Sequence, residues 1–202
     1  MRYIPAFIAC FLFPLIPLAA QNESANKSFE KTLPAGRGTK IEIINRYGDI
    51  NITKWDKESA HIRAEIEAYA PDRNRLDKLI AGIDVSIVET GSLIRAETVF
   101  ERETTVLLET FKGFTEKIID YESKVKINSF ISLPEYADID IRNQFGDIYI
   151  DDNSGTLSVD LSNGDFRAGS LNRISSLNFD FGDAEIGYVK SARIITSFSR
   201  IN

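Results

Sequence analysis

Four aspartates occupy one position of a recurring motif. Asp49, Asp147, Asp165 and Asp183 each follow a glycine. If the motif copies lie in neighbouring strands, these carboxylates stand about 5 Å apart along one edge. Like charges at that spacing repel unless water or a cation bridges them. Calcium takes about six to eight oxygen ligands, so Asp147, Asp165 and Asp183 form a candidate cation ladder. The calcium-binding nonapeptide G-G-x-G-x-D-x-U-x is absent, however, and aspartate is an ordinary turn residue. We therefore read the column as corner residues that are solvent-exposed and stacked, and assign no metal and no cofactor. Arg200 stands where a fifth aspartate would be, placed to pair with Asp183.

Two further side chains invite a chemical reading. His61 is the one histidine and the one imidazole base on offer. It falls on the polar face of an alternating stretch beside Arg63 and Glu65, and no G-x-S-x-G elbow accompanies it, so it reads as a surface strand residue. Trp55, in Lys54-Trp55-Asp56-Lys57, reads as a rim residue closing the first turn, with stacking on a sugar as the alternative. No catalytic residue is assigned.

Composition removes whole classes of function. The single cysteine, Cys10, lies in an apolar leader, so the rest of the chain has no thiol for disulfides, zinc thiolate sites or iron–sulfur clusters. A net charge of −6 argues against nucleic acid as a partner. Residues 1–20 have the plan of a secretory signal: Arg2, then an apolar run, then Leu18-Ala19-Ala20 ahead of polar Gln21. Pro5, Pro14 and Pro17 disfavour a helical span over the same run. The expectation is export to the periplasm, cell surface or exterior, with no membrane span after cleavage.

The elements that must position the aspartates are set by an internal repeat. Asn45-Arg46-Tyr47-Gly48-Asp49-Ile50 returns as Asn143-Gln144-Phe145-Gly146-Asp147-Ile148, then around Gly164 and again around Gly182. The last three glycines are 18 residues apart. Gly48, Gly146, Gly164 and Gly182 are the structural markers of the repeat. Apolar columns keep the same period, so Ile148, Ile150, Val159, Leu161, Leu177, Phe179 and Ile186 are expected to face inward. A fixed short period of this kind predicts an all-β parallel β-solenoid with repeats of about 18 residues. Residues 21–38 read as a flexible lead-in and 39–202 as the folded unit. An insertion over about 71–134 interrupts it after the first repeat, with a helix over 71–82 and a hairpin turning at Thr90-Gly91-Ser92. Repeats fill about 135–202, and the array breaks off inside its fifth copy, as a fragment would. Val106 to Phe114 is apolar without a clear period, a candidate end cover or partner surface.

The Asn-x-(Tyr/Phe)-Gly-Asp-Ile-x-Ile motif, the leader and the helix-bearing insertion together resemble the bacterial exported putative-adhesin family. They are similar to its auto-transporter head, or GIN-type, β-solenoid domains. The resemblance covers roughly residues 40–202 and brings no catalytic residues with it. It implies a non-catalytic surface or periplasmic module whose partner is a protein or glycan. The alternative is a polysaccharide-acting β-helix enzyme that uses carboxylates on one face.

Overall fold

The structure is a computed structural model and describes residues 23–101 and 123–201. Its strands are β1 (Glu23–Pro34), β2 (Lys40–Tyr47), β3 (Ile50–Trp55), β4 (Ser59–Ala70), β5 (Ile83–Thr90) and β6 (Leu93–Phe100), then β7 (Lys124–Pro134), β8 (Asp138–Phe145), β9 (Ile148–Ile150), β10 (Asn153–Asn163), β11 (Phe166–Thr196) and β12 (Ser199–Ile201). One helix, α1 (Arg73–Ala81), lies between β4 and β5. The leader and the Val106 to Phe114 segment fall outside the described residues.

Alternation makes the strands. In β4, Ala60, Ile62, Ala64, Ile66 and Ala68 are all buried while His61, Arg63, Glu65 and Glu67 keep to the other face. The helix starts where Asp72 accepts a hydrogen bond from the Arg75 amide at 2.9 Å, and Leu76 and Leu79 turn inward. It ends as the Gly82 amide donates to Lys78 O. The hairpin joins β5 to β6 through Gly91, with Thr90 opposite Leu93.

The motif copies do lie side by side. Asn45 is opposite Asn143 across the parallel β2–β8 pair, and Leu161 is opposite Phe179 across β10–β11. On the other side of the corner, Ile50 and Phe166 both flank Ile148 through the parallel β3–β9 and β11–β9 pairs. The corner requires glycine. Gly146 has φ +126, and a Cβ built on it would stand on the carbonyl oxygen of Gly48. Gly48, Gly164 and Gly182 repeat the arrangement, each over the carbonyl of the rung below.

The parallel β-solenoid expectation is nevertheless corrected. All strands belong to one mixed sheet, ordered β1-β4-β7-β3-β9-β11-β10-β8-β2-β6-β5 with β12 beside β11. The β1–β4, β4–β7 and β5–β6 pairs are antiparallel. β11 pairs with β9 through Phe166–Ala168 and with β10 through Leu171–Phe181, which carries the sheet from one wall to the other. The two ends of the sheet then approach each other. Lys27 Nζ donates to Ile83 O and Lys31 Nζ to Ile87 O, each at 2.9 Å, across the gap between β1 and β5. The result is a rolled, nearly closed, barrel-like sheet. An alternating pattern reports which face is buried, not the direction of the neighbouring strand, and so, beyond the expected β5–β6 hairpin, the antiparallel pairs of β4 with β1 and β7 carry no sequence signal.

The lead-in expectation also changes. Residues 23–34 form β1, paired along its length with β4. Its polar composition reflects its place as an edge strand, where lysines discourage further pairing. β7, at the end of the expected insertion, is an interior strand between β4 and β3.

Six of the seven expected inward residues are buried, from Ile148 to Phe179; Ile186 is half-buried against the same core. A smaller apolar cluster fills the space under α1, where Leu76 and Leu79 meet Ile66, Ile83 and Ile127.

Candidate functional site

The acidic column sits at the corner, and its geometry is that of a hydrogen-bonded ladder. The Asp147 amide donates to Asp49 Oδ1 at 3.0 Å, the Asp165 amide to Asp147 Oδ1 at 2.8 Å, and the Asp183 amide to Asp165 Oδ1 at 3.0 Å. Asn128 supplies the lowest rung, accepting from the Asp49 amide at 3.1 Å. The second carboxylate oxygens are engaged as well. Lys126 Nζ lies 2.9 Å from Asp49 Oδ2, Tyr149 Oη donates to Asp147 Oδ2 at 2.9 Å, and Arg167 Nη2 donates to Asp165 Oδ2 at 3.0 Å. The column is stacked as expected, but where solvent exposure was expected Asp147 and Asp165 are half-buried, as is Asp49, and Asp183 is exposed. Arg200 is opposite Asp183 in the β11–β12 register.

These contacts explain the repeat chemically. Asp49, Asp147 and Asp165 each satisfy the backbone of the next rung and take a cation or phenol as a second partner. That relieves the repulsion a bare column would suffer. Among the described residues, no group of three or more His, Cys, Asp or Glu is placed to hold a metal ion. Asparagine repeats the principle beside the glycines: Asn143 Nδ2 donates to Gly48 O at 3.1 Å and to Gly146 O at 3.0 Å. Two single bonds of the same kind occur elsewhere, where the Thr156 amide donates to Asp138 and the Ser170 amide to Asp152, each one rung of 18 residues away.

Asp165→Ala should therefore cost about 1 kcal/mol, because it removes the acceptor of both the Asp183 amide and the Arg167 guanidinium. Asp165→Asn keeps an acceptor and should cost less. Urea denaturation of the two variants reads the difference; equal losses would contradict the ladder.

The hydrogen bond to Asp147 also pushes the Tyr149 hydroxyl above its ordinary value, with burial adding to the effect. A raised folded value means the bond contributes stability that is fully present below the unfolded value. That stability is lost as pH rises through the folded one. A ring-carbon NMR titration of Tyr149 should show a midpoint on the alkaline side of a free phenol, moving back towards it in Asp147→Asn. An unmoved midpoint would contradict the assignment.

The two other sequence candidates have structural work. His61 Nδ1 lies 3.0 Å from Thr32 Oγ1, and Nε2 lies 3.5 Å from Glu30 Oε1, so the ring ties β4 to β1. Trp55 Nε1 donates to Ser59 O at 2.7 Å, closing the turn between β3 and β4 as a rim residue.

Beyond the column, the outer wall carries a row that the sequence reading missed. Arg63, Phe130, Asn51, Tyr149 and Arg167 are successive neighbours across β4, β7, β3, β9 and β11. The Arg63 guanidinium lies 4.8 Å from the centre of the Phe130 ring, and that of Arg167 lies 5.5 Å from the Tyr149 ring. An open groove of ≈ 430 Å³ runs beside the row, lined among others by Asn51, Thr53, Tyr149, Asp151, Arg167 and Glu185. The signal was present in the repeat: Asn51, Tyr149, Arg167 and Glu185 each stand three residues after a corner glycine.

The fold has a counterpart among solved structures. Over 88% of this chain and 98% of the other, it is similar to a putative cell adhesion protein from Clostridium sporogenes, with a TM-score of 0.53 at 10% sequence identity. Putative adhesins from Bacteroides fragilis and Parabacteroides distasonis also align. They cover 86% and 87% of this chain and 93% and 96% of theirs, at 15% and 9% identity. Their TM-scores of 0.27 and 0.24 are too low to carry an argument. No protein-family profile and no curated protein sequence matches the chain. At these identities the likeness is one of fold. Among the described residues, no helix is long and apolar enough to cross a membrane.

Proposed function

We propose that this chain is an exported, non-catalytic, adhesin-like module that presents the outer wall of its sheet to a protein or glycan at the cell surface. The observation that carries the reading is the fold likeness to the Clostridium sporogenes protein, which extends over nearly all of both chains. The leader plan of residues 1–20 supports export. The state of the carboxylates supports the absence of catalysis. Glycoside hydrolysis needs one carboxyl to protonate the leaving oxygen and another to attack or activate water. Asp147 and Asp165 each hold a backbone amide on one oxygen and a phenol or guanidinium on the other.

The test is incubation of the protein with neutral and acidic polysaccharides, followed by assays for new reducing ends and unsaturated products. No turnover is expected. Turnover that disappears in Asp147→Asn or Asp165→Asn would overturn the non-catalytic reading in favour of a polysaccharide-acting enzyme.

A further inference from the structure

We propose that the Arg63–Phe130–Asn51–Tyr149–Arg167 row and its groove bind an uncharged glycan lying across the strands. This rests on the module reading and names the ligand class of that wall.

The row is nearly symmetric about Asn51. An aromatic ring stands one strand away on each side, and a guanidinium lies beside each ring, that of Arg167 also donating to Tyr149 Oη at 3.1 Å. The two rings are two strand spacings apart, about 10 Å. Between them the Asn51 side chain forms no hydrogen bond to any described residue, although it offers a carbonyl oxygen and an amide. Two ring faces flanking a free amide complement a saturated sugar ring, which has a C–H face and a rim of hydroxyls. The neighbouring groove adds Asp151, which lies in the field of Lys54, and Glu185, a carboxylate without a cationic partner among the described residues; both suit paired hydroxyls.

Charge selects among glycans. Both guanidiniums already have carboxylates: Arg63 lies 2.8 Å from Glu65, and Arg167 lies 3.0 Å from Asp165. What remains unpaired beside the row is the Glu185 carboxylate, so uronate or sulfate groups are repelled. Geometry disfavours a peptide strand. β4, β7, β3 and β9 are each flanked on both sides, so no backbone edge is open to strand addition beneath the row. Recognition must run through side chains.

The experiment is binding of the labelled full chain to a printed array of neutral and acidic oligosaccharides, followed by titration with the best neutral one. The expected result is binding of neutral oligosaccharides that strengthens up to about three sugar units, the span of the row from Phe130 to Arg167. Asn51→Ala and Tyr149→Ala should each weaken it about tenfold, while Tyr149→Phe keeps most of it. Asn51→Ala removes no internal bond, so its thermal midpoint should match the parent and keep the test independent of folding. Binding of no neutral oligosaccharide, of acidic glycans alone, or undiminished binding by Asn51→Ala overturns the proposal. Binding of proteins alone also overturns it but leaves the module reading standing, whereas turnover of a glycan would remove the module reading itself.

Discussion

Gly146→Ala is expected to destabilise the fold by roughly 3 kcal/mol or more, or to prevent folding altogether. Two costs act together. The residue sits at φ +126, where an L side chain is strained, and its new methyl would press on the Gly48 carbonyl directly beneath. That carbonyl cannot withdraw, because it also accepts the side-chain amides of Asn45 and Asn143. The neighbouring rung transmits the problem, since Gly146 O in turn lies under Gly164. For a chain of this size the loss corresponds to a fall in melting temperature on the order of 10 °C. Gly36→Ala provides the control: no atom lies within 4 Å of a Cβ built there. Equal denaturation midpoints for the two variants would contradict the stacked corner.

Ile141→Asp should be at least as damaging, with an expected loss of more than about 4 kcal/mol. Ile141 is fully buried in β8, opposite Ile43 of β2 on one side and Val159 of β10 on the other. A carboxylate there meets only apolar side chains. It would have to remain protonated or draw water into the core. Arg142, the next residue along, is exposed and lies 3.5 Å from the buried Glu42, which Arg95 also holds at 2.6 Å, so Arg142→Gln, which adds no like charge beside Glu42, should cost far less. The pair tests the alternation directly: comparable losses would mean that β8 does not bury one face. Circular dichroism melts and urea titrations of both variants provide the measurement.

What could be read from the chain follows from what a repeat and an alternation encode. Apolar residues at every second position reported which side of β4, β8 and β10 is buried. The period of 18 residues reported which positions share a column. Neither encodes strand direction. Ile62 of β4 has the same alternating surroundings as Ile139 of β8, yet one is paired antiparallel to Ile131 and the other parallel to Ile41. β1 escaped notice for a different reason. Its inward residues Ala25, Phe29 and Leu33 are separated by lysines and glutamate, which suit an edge strand and resemble a polar linker. Closure of the sheet by Lys27 and Lys31 rests on contacts 56 residues apart and has no local signature.

The site divides in the same way. The aspartate column was plain in the sequence, but its meaning was not. Aspartate after glycine is common at turns, and only the stacked rungs show the Asp147 carboxylate receiving the Asp165 amide. In the outer row, Tyr149 and Arg167 belong to the repeat, whereas Phe130 comes from β7. No spacing rule connects residue 130 with residue 51 until the β3–β7 register brings them together.

We propose that the acidic column acts by holding the corner together through hydrogen bonds rather than by binding an ion. The most direct test of this central claim is the thermal midpoint of the protein in calcium compared with sodium at equal ionic strength. If the carboxylates are already satisfied by backbone amides, Lys126, Tyr149 and Arg167, the two midpoints should coincide. A calcium-specific rise that vanishes in Asp165→Asn would show ligand linkage at the column and contradict the account.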